Sequence, residues 1–375
     1  MTTAETINGR LVLDDRVASG RVKIEDGLIS AVVLDEGSAE DGPYLAPGFV
    51  DVHVHGWGGH DAMGDTAALD GMARALLRRG VTSFLPTAVT APLDDLAAFA
   101  ERVRSWMAAA PDDGAEPLGF NLEGPFLAPA RRGAHDATHL EAPADAPRGI
   151  LERLVEGLRL TTIAPELPGA IDLIAWLHGH GVAVSIGHSA AAVDEAQAGF
   201  AAGARSTTHL FNAMSGVDHR SPGVAVAALL DDDAYVELIA DGIHVHRALW
   251  PLITRLKPRD RLLLVSDALA LAGTGDGRGR IGRLDVEVVG ARATLAGTST
   301  LAGSVIALDD AVRNLVGDGV SLSDAVAAAS RNPLDLLGIA DRGRIVVGQR
   351  ADLVELDPEL QVRRVMRDGR WVGTD

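Results

Sequence analysis

The sequence predicts an α/β chain: a (β/α)8 barrel of the TIM type, flanked by a small β-sandwich domain built from both chain termini. Three observations lead there. Eight short apolar runs of strand character lie between residues 48 and 266, with amphipathic helical patterns between most of them. Short strand-like segments cluster at the two chain ends, and neither set is long enough to hold a core alone. Residues bearing imidazoles and carboxylates recur where the apolar runs stop, on the face where a barrel gathers its loops.

In chain order, Arg10–Leu13 and Val17–Ile24 are separated by Asp14-Asp15, and Gly27 precedes Ile29–Leu34. Their expected partners are Gly343–Val347, Ala351–Leu356, Val362–Met366 and Gly369–Val372. This sets one unit at residues 1–47 plus 343–375 and a barrel at 48–342. The predicted barrel strands are Gly48–Val54, Thr82–Thr87, Pro117–Leu122, Leu160–Ala164, Val182–Ile186, Arg205–Thr208, Tyr235–Ala240 and Leu262–Ser266. After the first, Leu69, Met72, Ala73, Leu76 and Leu77 share one helical face that ends at Gly80. Leu96, Phe99, Ala100, Val103 and Trp106 repeat the pattern after the second. Ile171, Ile174, Ala175 and Leu177 predict a face that stops at Gly181, and Ala192–Ala202 one that stops at Gly203. Beyond the eighth strand, Ile281–Val289 alternates like a hairpin, so residues near 276–295 are expected to form an excursion over the barrel mouth. Ser304–Val316 and Ser321–Ser330 return to helical spacing and close the barrel. A doubly wound open sheet is the competing architecture; it usually carries a Gly-rich phosphate turn after an early strand, and this chain has none.

Composition narrows the chemistry. Apolar residues make up 47% of the 375 and aromatics only 4%, so the core is built mainly from Ala, Val, Leu and Ile. With 34 basic and 52 acidic side chains, the net charge of -18 disfavours nucleic acid and anionic membranes as partners. A small anionic substrate would need a local cluster of donors. There is no cysteine, which excludes thiolate catalysis and sulfur-ligated metals and leaves His, Asp and Glu as metal ligands. The opening MTTAETINGRLVLDDR has no basic segment followed by an apolar stretch, and no run could span a bilayer, so a cytoplasmic location is expected.

His53 and His55 are two apart in a strand, so both point to the same side, which in a barrel is the interior. Alone they could be core histidines. Glu123, His188, His209 and Asp267 follow the third, fifth, sixth and eighth strands, and that set points to a divalent metal site. Asp267 could cap the segment after it. Its functional reading is a carboxylate that takes a proton from activated water and returns it to a leaving group. His135 could be an exposed loop histidine, and Arg220 an ordinary surface arginine; an arginine fork is also what a phosphate requires. His246, His178 and His180 are read as structural, and Asp231–Asp233 as a solvated turn.

The set His53-x-His55, Glu123, His188, His209 and Asp267 resembles the amidohydrolase superfamily. Asn121-Leu122-Glu123-Gly124-Pro125-Phe126, Gly133-Ala134-His135 and Thr208-His209-Leu210-Phe211-Asn212-Ala213-Met214 are similar to N-acetylglucosamine-6-phosphate deacetylases. So are Ile239-Ala240-Asp241-Gly242-Ile243-His244, Val265-Ser266-Asp267-Ala268 and Ser330-Arg331-Asn332-Pro333. The resemblance implies metal-dependent hydrolysis of the acetamide of N-acetyl-D-glucosamine 6-phosphate. It implies Glu123, His188 and His209 as ligands of the ion that activates water, with Asp267 as general base and then acid. His53 and His55 imply capacity for a second ion, with Asp267 a further ligand candidate there. His135 would contact the substrate; Asn212, the Ala213 backbone, Arg220 and His244 would hold its phosphate. One or two divalent ions per chain are implied, zinc first, with iron, manganese or cobalt as alternatives, in a homodimer whose partner subunit contributes to the phosphate pocket. The competing functions are another amidohydrolase, acting on a different acetamido sugar or a cyclic amide, and a non-catalytic metal-dependent sugar-phosphate binding protein.

Overall fold

The computed structural model describes residues 4–35 and 42–373; the expected terminal unit's residues 1–3, 36–41 and 374–375 lie outside the described residues. Eight parallel strands follow one another around a barrel: Phe49–Val54, Val81–Val89, Phe120–Glu123, Leu158–Ile163, Ala183–Ile186, Ser206–Thr207, Tyr235–Leu238 and Leu262–Leu264. Each pairs with its neighbour in sequence, as successive right-handed crossovers require. The ring is drawn together just beyond the last strand. There the Asp267 N–H donates to the His53 carbonyl at 2.9 Å and the His55 N–H to the Ala268 carbonyl at 2.8 Å.

Helices cover the outside because their apolar residues recur at i, i+3, i+4 and i+7. Thr66–Leu77 buries Leu69, Met72, Ala73, Leu76 and Leu77. Asp65 caps its start by accepting from the Ala68 N–H at 2.9 Å. It stops before Gly80, whose φ of 81° the left-handed region gives to glycine. Leu93–Met107 buries Leu96, Phe99, Ala100, Val103 and Trp106, and sets Phe99 edge-on to Phe120 of the third strand with centroids 5.7 Å apart. Each such buried leucine or phenylalanine contributes about 1.5–3 kcal/mol of transfer free energy.

Two local expectations fail. In Ala170–Gly179 the buried face is Ala170, Leu173, Ile174 and Leu177, while Ile171 and Ala175 face outward. The i, i+3, i+4, i+7 stripe that starts at Ala170 prevails over one that starts at Ile171. Residues 343–347 are not a strand. Gly343 takes φ 86°, and of the three large apolar side chains only Ile345 is buried, with Val346 and Val347 exposed, so the apolar run serves no sheet face.

Glu5–Val12, Val17–Glu25, Leu28–Leu34 and Tyr44–Pro47 share one seven-stranded sheet with Leu353–Leu356, Val362–Arg367 and Arg370–Val372. Tyr44–Pro47 and Leu353–Leu356 pair antiparallel where the two chain ends meet. The sheet buries its own cluster around Leu11, Ile24, Leu45, Leu353 and Met366. Over the barrel mouth, Gly277–Ile281, Leu284–Val289 and Arg292–Leu295 form a three-stranded antiparallel sheet, a third strand extending the expected hairpin. No helix among the described residues is long and apolar enough to cross a membrane.

The last barrel strand, which delivers Asp267, is pinned from below by Asn332, a fully buried residue in the closing helix Arg331–Leu336. Its Nδ2 donates to the Leu262 carbonyl at 2.8 Å and the Arg259 carbonyl at 3.0 Å. Asn332→Ala leaves both carbonyls without their donor and should destabilise the chain by about 2 kcal/mol. A thermal midpoint within a degree of the parent would show that the anchor is dispensable.

Candidate active site

The residues beyond the strand ends converge on one cavity of about 340 Å³. It is lined by His55, Glu123, His135, His188, His209 and Asp267, together with Asn212, Ala213 and His244. His53 lies beneath, fully buried. Three of the imidazole and carboxylate side chains sit on strained backbone: φ is 46° at His188, 28° at His209 and 49° at Asp267. Residues other than glycine avoid this region at a cost of order 1–2 kcal/mol each. Glycine would relieve the strain, so the positions keep it for the side chains they present.

Glu123 is the hub. Its Oε1 lies 3.0 Å from His188 Nε2 and 2.9 Å from His209 Nε2. Its Oε2 lies 3.1 Å from His55 Nε2, 3.5 Å from His53 Nε2 and 3.2 Å from His135 Nε2. Asp267 Oδ1 completes the first histidine pair, 3.2 Å from His55 Nε2 and 3.6 Å from His53 Nε2.

The far side of the His53, His55 and His188 rings sets their tautomers. His55 Nδ1 faces the Thr87 carbonyl at 3.1 Å and His188 Nδ1 the Arg131 carbonyl at 2.9 Å. A carbonyl only accepts, so both Nδ1 atoms carry a hydrogen, and in the neutral ring that binds an ion each Nε2 turns a lone pair inward. His53 Nδ1 is likewise held, 3.1 Å from Glu237 Oε2. The Nε2 atoms of His53 and His55 stand 3.3 Å apart, and those of His188 and His209 3.1 Å apart. Ligand nitrogens about 2.05 Å from one tetrahedral ion stand roughly 3.3 Å from each other. The spacing is that of donors around a shared cation. Four side chains, His53, His55, Glu123 and Asp267, qualify together as a cation-holding group, and Glu123, His135 and His188 as another.

Electrostatics agree. Burial works against charge on His55, yet the Asp267 and Glu123 carboxylates raise it to about 9, and His53 is raised well above its ordinary value by Glu123, Glu237 and Asp267. Burial would raise Glu123 too, but His53, His135 and His188 hold it well below the usual carboxylate range. Asp267 is also lowered, its burial outweighed by His55 and His53. Burial and the neighbouring His135 depress His188 to about 4, which leaves it a neutral donor at pH 7. The centre is built to attract positive charge, and its donors fit a divalent ion.

His135 differs from the other imidazoles. The Thr90 N–H donates to its Nδ1 at 3.3 Å, which makes Nε2 the hydrogen-bearing nitrogen. His135 therefore presents an N–H to Glu123 and the cavity, a donor rather than a ligand lone pair. His244 presents Nε2 because its Nδ1 is taken by Asp241 Oδ2 at 2.7 Å. Asn212 lines the cavity, but its Nδ2 is engaged with the His209 and Leu210 carbonyls. Arg220 is the one expected site residue that the chain does not bring to its own cavity: it is exposed in the loop after Met214. His246 caps a turn by accepting from the Ala248 N–H. Two buried residues were not singled out from the sequence, Glu237 behind His53 and Thr90 behind His135. Glu237 had one signal, a lone carboxylate in an apolar strand.

The model of the amidohydrolase family matches residues 44–372. An N-acetylgalactosamine-6-phosphate deacetylase of Escherichia coli O157:H7 is 37% identical over 96% of this chain and 95% of its own. An N-acetylglucosamine-6-phosphate deacetylase of Bos taurus is 39% identical over 91% of this chain and 86% of its own. Among solved structures, a mutant of the N-acetyl-D-glucosamine-6-phosphate deacetylase of Mycobacterium smegmatis, in complex with N-acetyl-D-glucosamine 6-phosphate, superposes with a TM-score of 0.91. It is 36% identical, and 99% of each chain is covered.

Proposed function

The chain belongs to the amidohydrolase family, and on that premise we propose that it hydrolyses the acetamide of N-acetyl-D-glucosamine 6-phosphate to D-glucosamine 6-phosphate and acetate. The observation that carries this is the Glu123 carboxylate between two inward-facing histidine pairs, with Asp267 beside it at the cavity wall.

Glu123, His188 and His209 would hold one divalent ion, and His53 and His55, with Asp267, a second. Zinc is our first choice for a nitrogen-rich set without sulfur; iron, manganese and cobalt accept the same donors. Such an ion supplies Lewis acidity that brings the pKa of water toward neutrality. Asp267, ionised at neutral pH, accepts the proton from water as its oxygen attacks the acetyl carbon. The His135 Nε2–H is aimed to donate to the oxyanion that develops. Asp267 then returns the proton to the amide nitrogen, the C–N bond breaks and acetate leaves. Proton return matters because without it the nitrogen would have to leave as an amine anion, a very poor leaving group.

His244 Nε2 serves the 6-phosphate. Asn212 and the Ala213 backbone flank it. Arg220 is exposed and outside its own chain's cavity; we propose that it reaches the 6-phosphate bound by a neighbouring subunit of a homodimer. We also propose that residues 1–47 plus 343–375 act as one β unit beside the 48–342 barrel.

The test is acetate release from N-acetylglucosamine 6-phosphate after chelation and stepwise metal return, with bound metal counted per chain. Activity should return with metal, and kcat/KM should far exceed that on unphosphorylated N-acetylglucosamine. Equal values on the two sugars would overturn the substrate assignment. His244→Gln should narrow that preference by about ten- to a hundredfold, the worth of one charge-assisted hydrogen bond, with metal content unchanged. A second reading, N-acetylgalactosamine 6-phosphate, is favoured by the 37% identity to the E. coli relative. Running both sugar phosphates in the same assay decides between them.

A further inference from the structure

Glu237 is a carboxylate at 0% exposure, on the seventh barrel strand, with no arginine or lysine partner among the described residues. Burying such a charge costs several kcal/mol unless something specific uses it. Its Oε2 lies 3.1 Å from His53 Nδ1 and accepts the His209 backbone N–H at 3.2 Å, while its Oε1 has no partner. One oxygen thus grips a side chain of one histidine pair and the backbone of the other.

The other rings of the centre are backed differently. His55 and His188 rest on backbone carbonyls, and His209 Nδ1 has no hydrogen-bond partner. Of the four ligand histidines, His53 alone leans on a carboxylate through Nδ1. A carboxylate behind an imidazole fixes its tautomer, locks the ring and strengthens the opposite nitrogen as a ligand. Here the opposite nitrogen is His53 Nε2, aimed at His55, Glu123 and Asp267.

We propose that Glu237 is a positioning residue that sets how tightly the His53–His55 position holds its divalent ion, by orienting His53 and raising its donor strength through Nδ1. This rests on the two-ion reading above. Glu237 touches neither the cavity nor the substrate; it acts through His53.

The experiment titrates chelator-stripped protein with cobalt(II), following bound cobalt and the visible absorption of the ion. The parent should take up two ions, and His53→Asn identifies the His53–His55 step as the one it abolishes. Glu237→Gln keeps an acceptor for His53 Nδ1 but removes the charge; it should weaken that step by about ten- to a hundredfold and shift its absorption. Glu237→Leu should weaken it further. The other step should stay within about threefold of the parent. Parental affinity at both steps in Glu237→Gln, or equal weakening of both, overturns the role of Glu237 while leaving the two-ion reading intact. Uptake of a single ion by the parent overturns the two-ion reading and the inference with it. If Glu237→Leu does not fold, Glu237→Gln decides alone.

Discussion

Asp267→Asn is expected to lower kcat by about 10⁴-fold while the chain keeps its fold and most of its metal. General base catalysis contributes roughly 10²–10⁴, and this carboxylate is asked to act twice, first on water and then on the leaving nitrogen. A 10⁴-fold loss corresponds to about 5.5 kcal/mol of transition-state stabilisation. The substitution suits the question because it changes little else. Asparagine is isosteric with aspartate and is among the residues best tolerated at positive φ, and the backbone here stands at 49°. The Asp267 carbonyl, which accepts the Ser304 N–H at 2.7 Å, is also untouched. Glu123 and the four ligand histidines remain, so metal counted per chain should fall by less than one ion. The discriminating measurement is kcat beside metal content: turnover within tenfold of the parent would remove Asp267 from the proton path.

The barrel could be read from the sequence because each apolar strand carries its chemistry at a fixed place. A strand's period of two puts His53 and His55 on one side, and polar residues directly after apolar runs identify Glu123, His188, His209 and Asp267 without any knowledge of what they touch. What was hidden depends on contacts across the barrel. Glu237 and His53 are 184 residues apart, and a single glutamate in Tyr235–Leu238 has no spacing that marks it. The donor character of His135 is set by Thr90, 45 residues away just past the second barrel strand. Short helices were also illegible. Val224–Leu230, Trp250–Leu256 and Arg331–Leu336 run about two turns or less, too few residues for an apolar stripe to repeat. At the C-terminal end, Gly343–Val347 had strand composition but no sheet face to pack on, since burial is decided by neighbours and not by propensity.

Glu123→Gln should empty both metal positions at once, which a change at any single histidine should not do. Oε1 faces His188 and His209, and Oε2 faces His53 and His55, so the residue is common to both donor sets. Glutamine replaces a charged oxygen with an N–H2 group. The site loses the negative charge common to both donor sets, and whichever oxygen position becomes the N–H2 group can no longer bind an ion. Activity should drop by at least about 10³-fold, because Lewis acidity and the activated water are lost together. Stability separates this from simple damage. Added metal should raise the thermal midpoint of the chelator-stripped parent and leave that of Glu123→Gln unchanged. A fall in midpoint without loss of metal would mean that Glu123 serves the packing of the third strand and not the ions. Retention of the parent's metal count at near-parent turnover would remove the hub from the mechanism altogether.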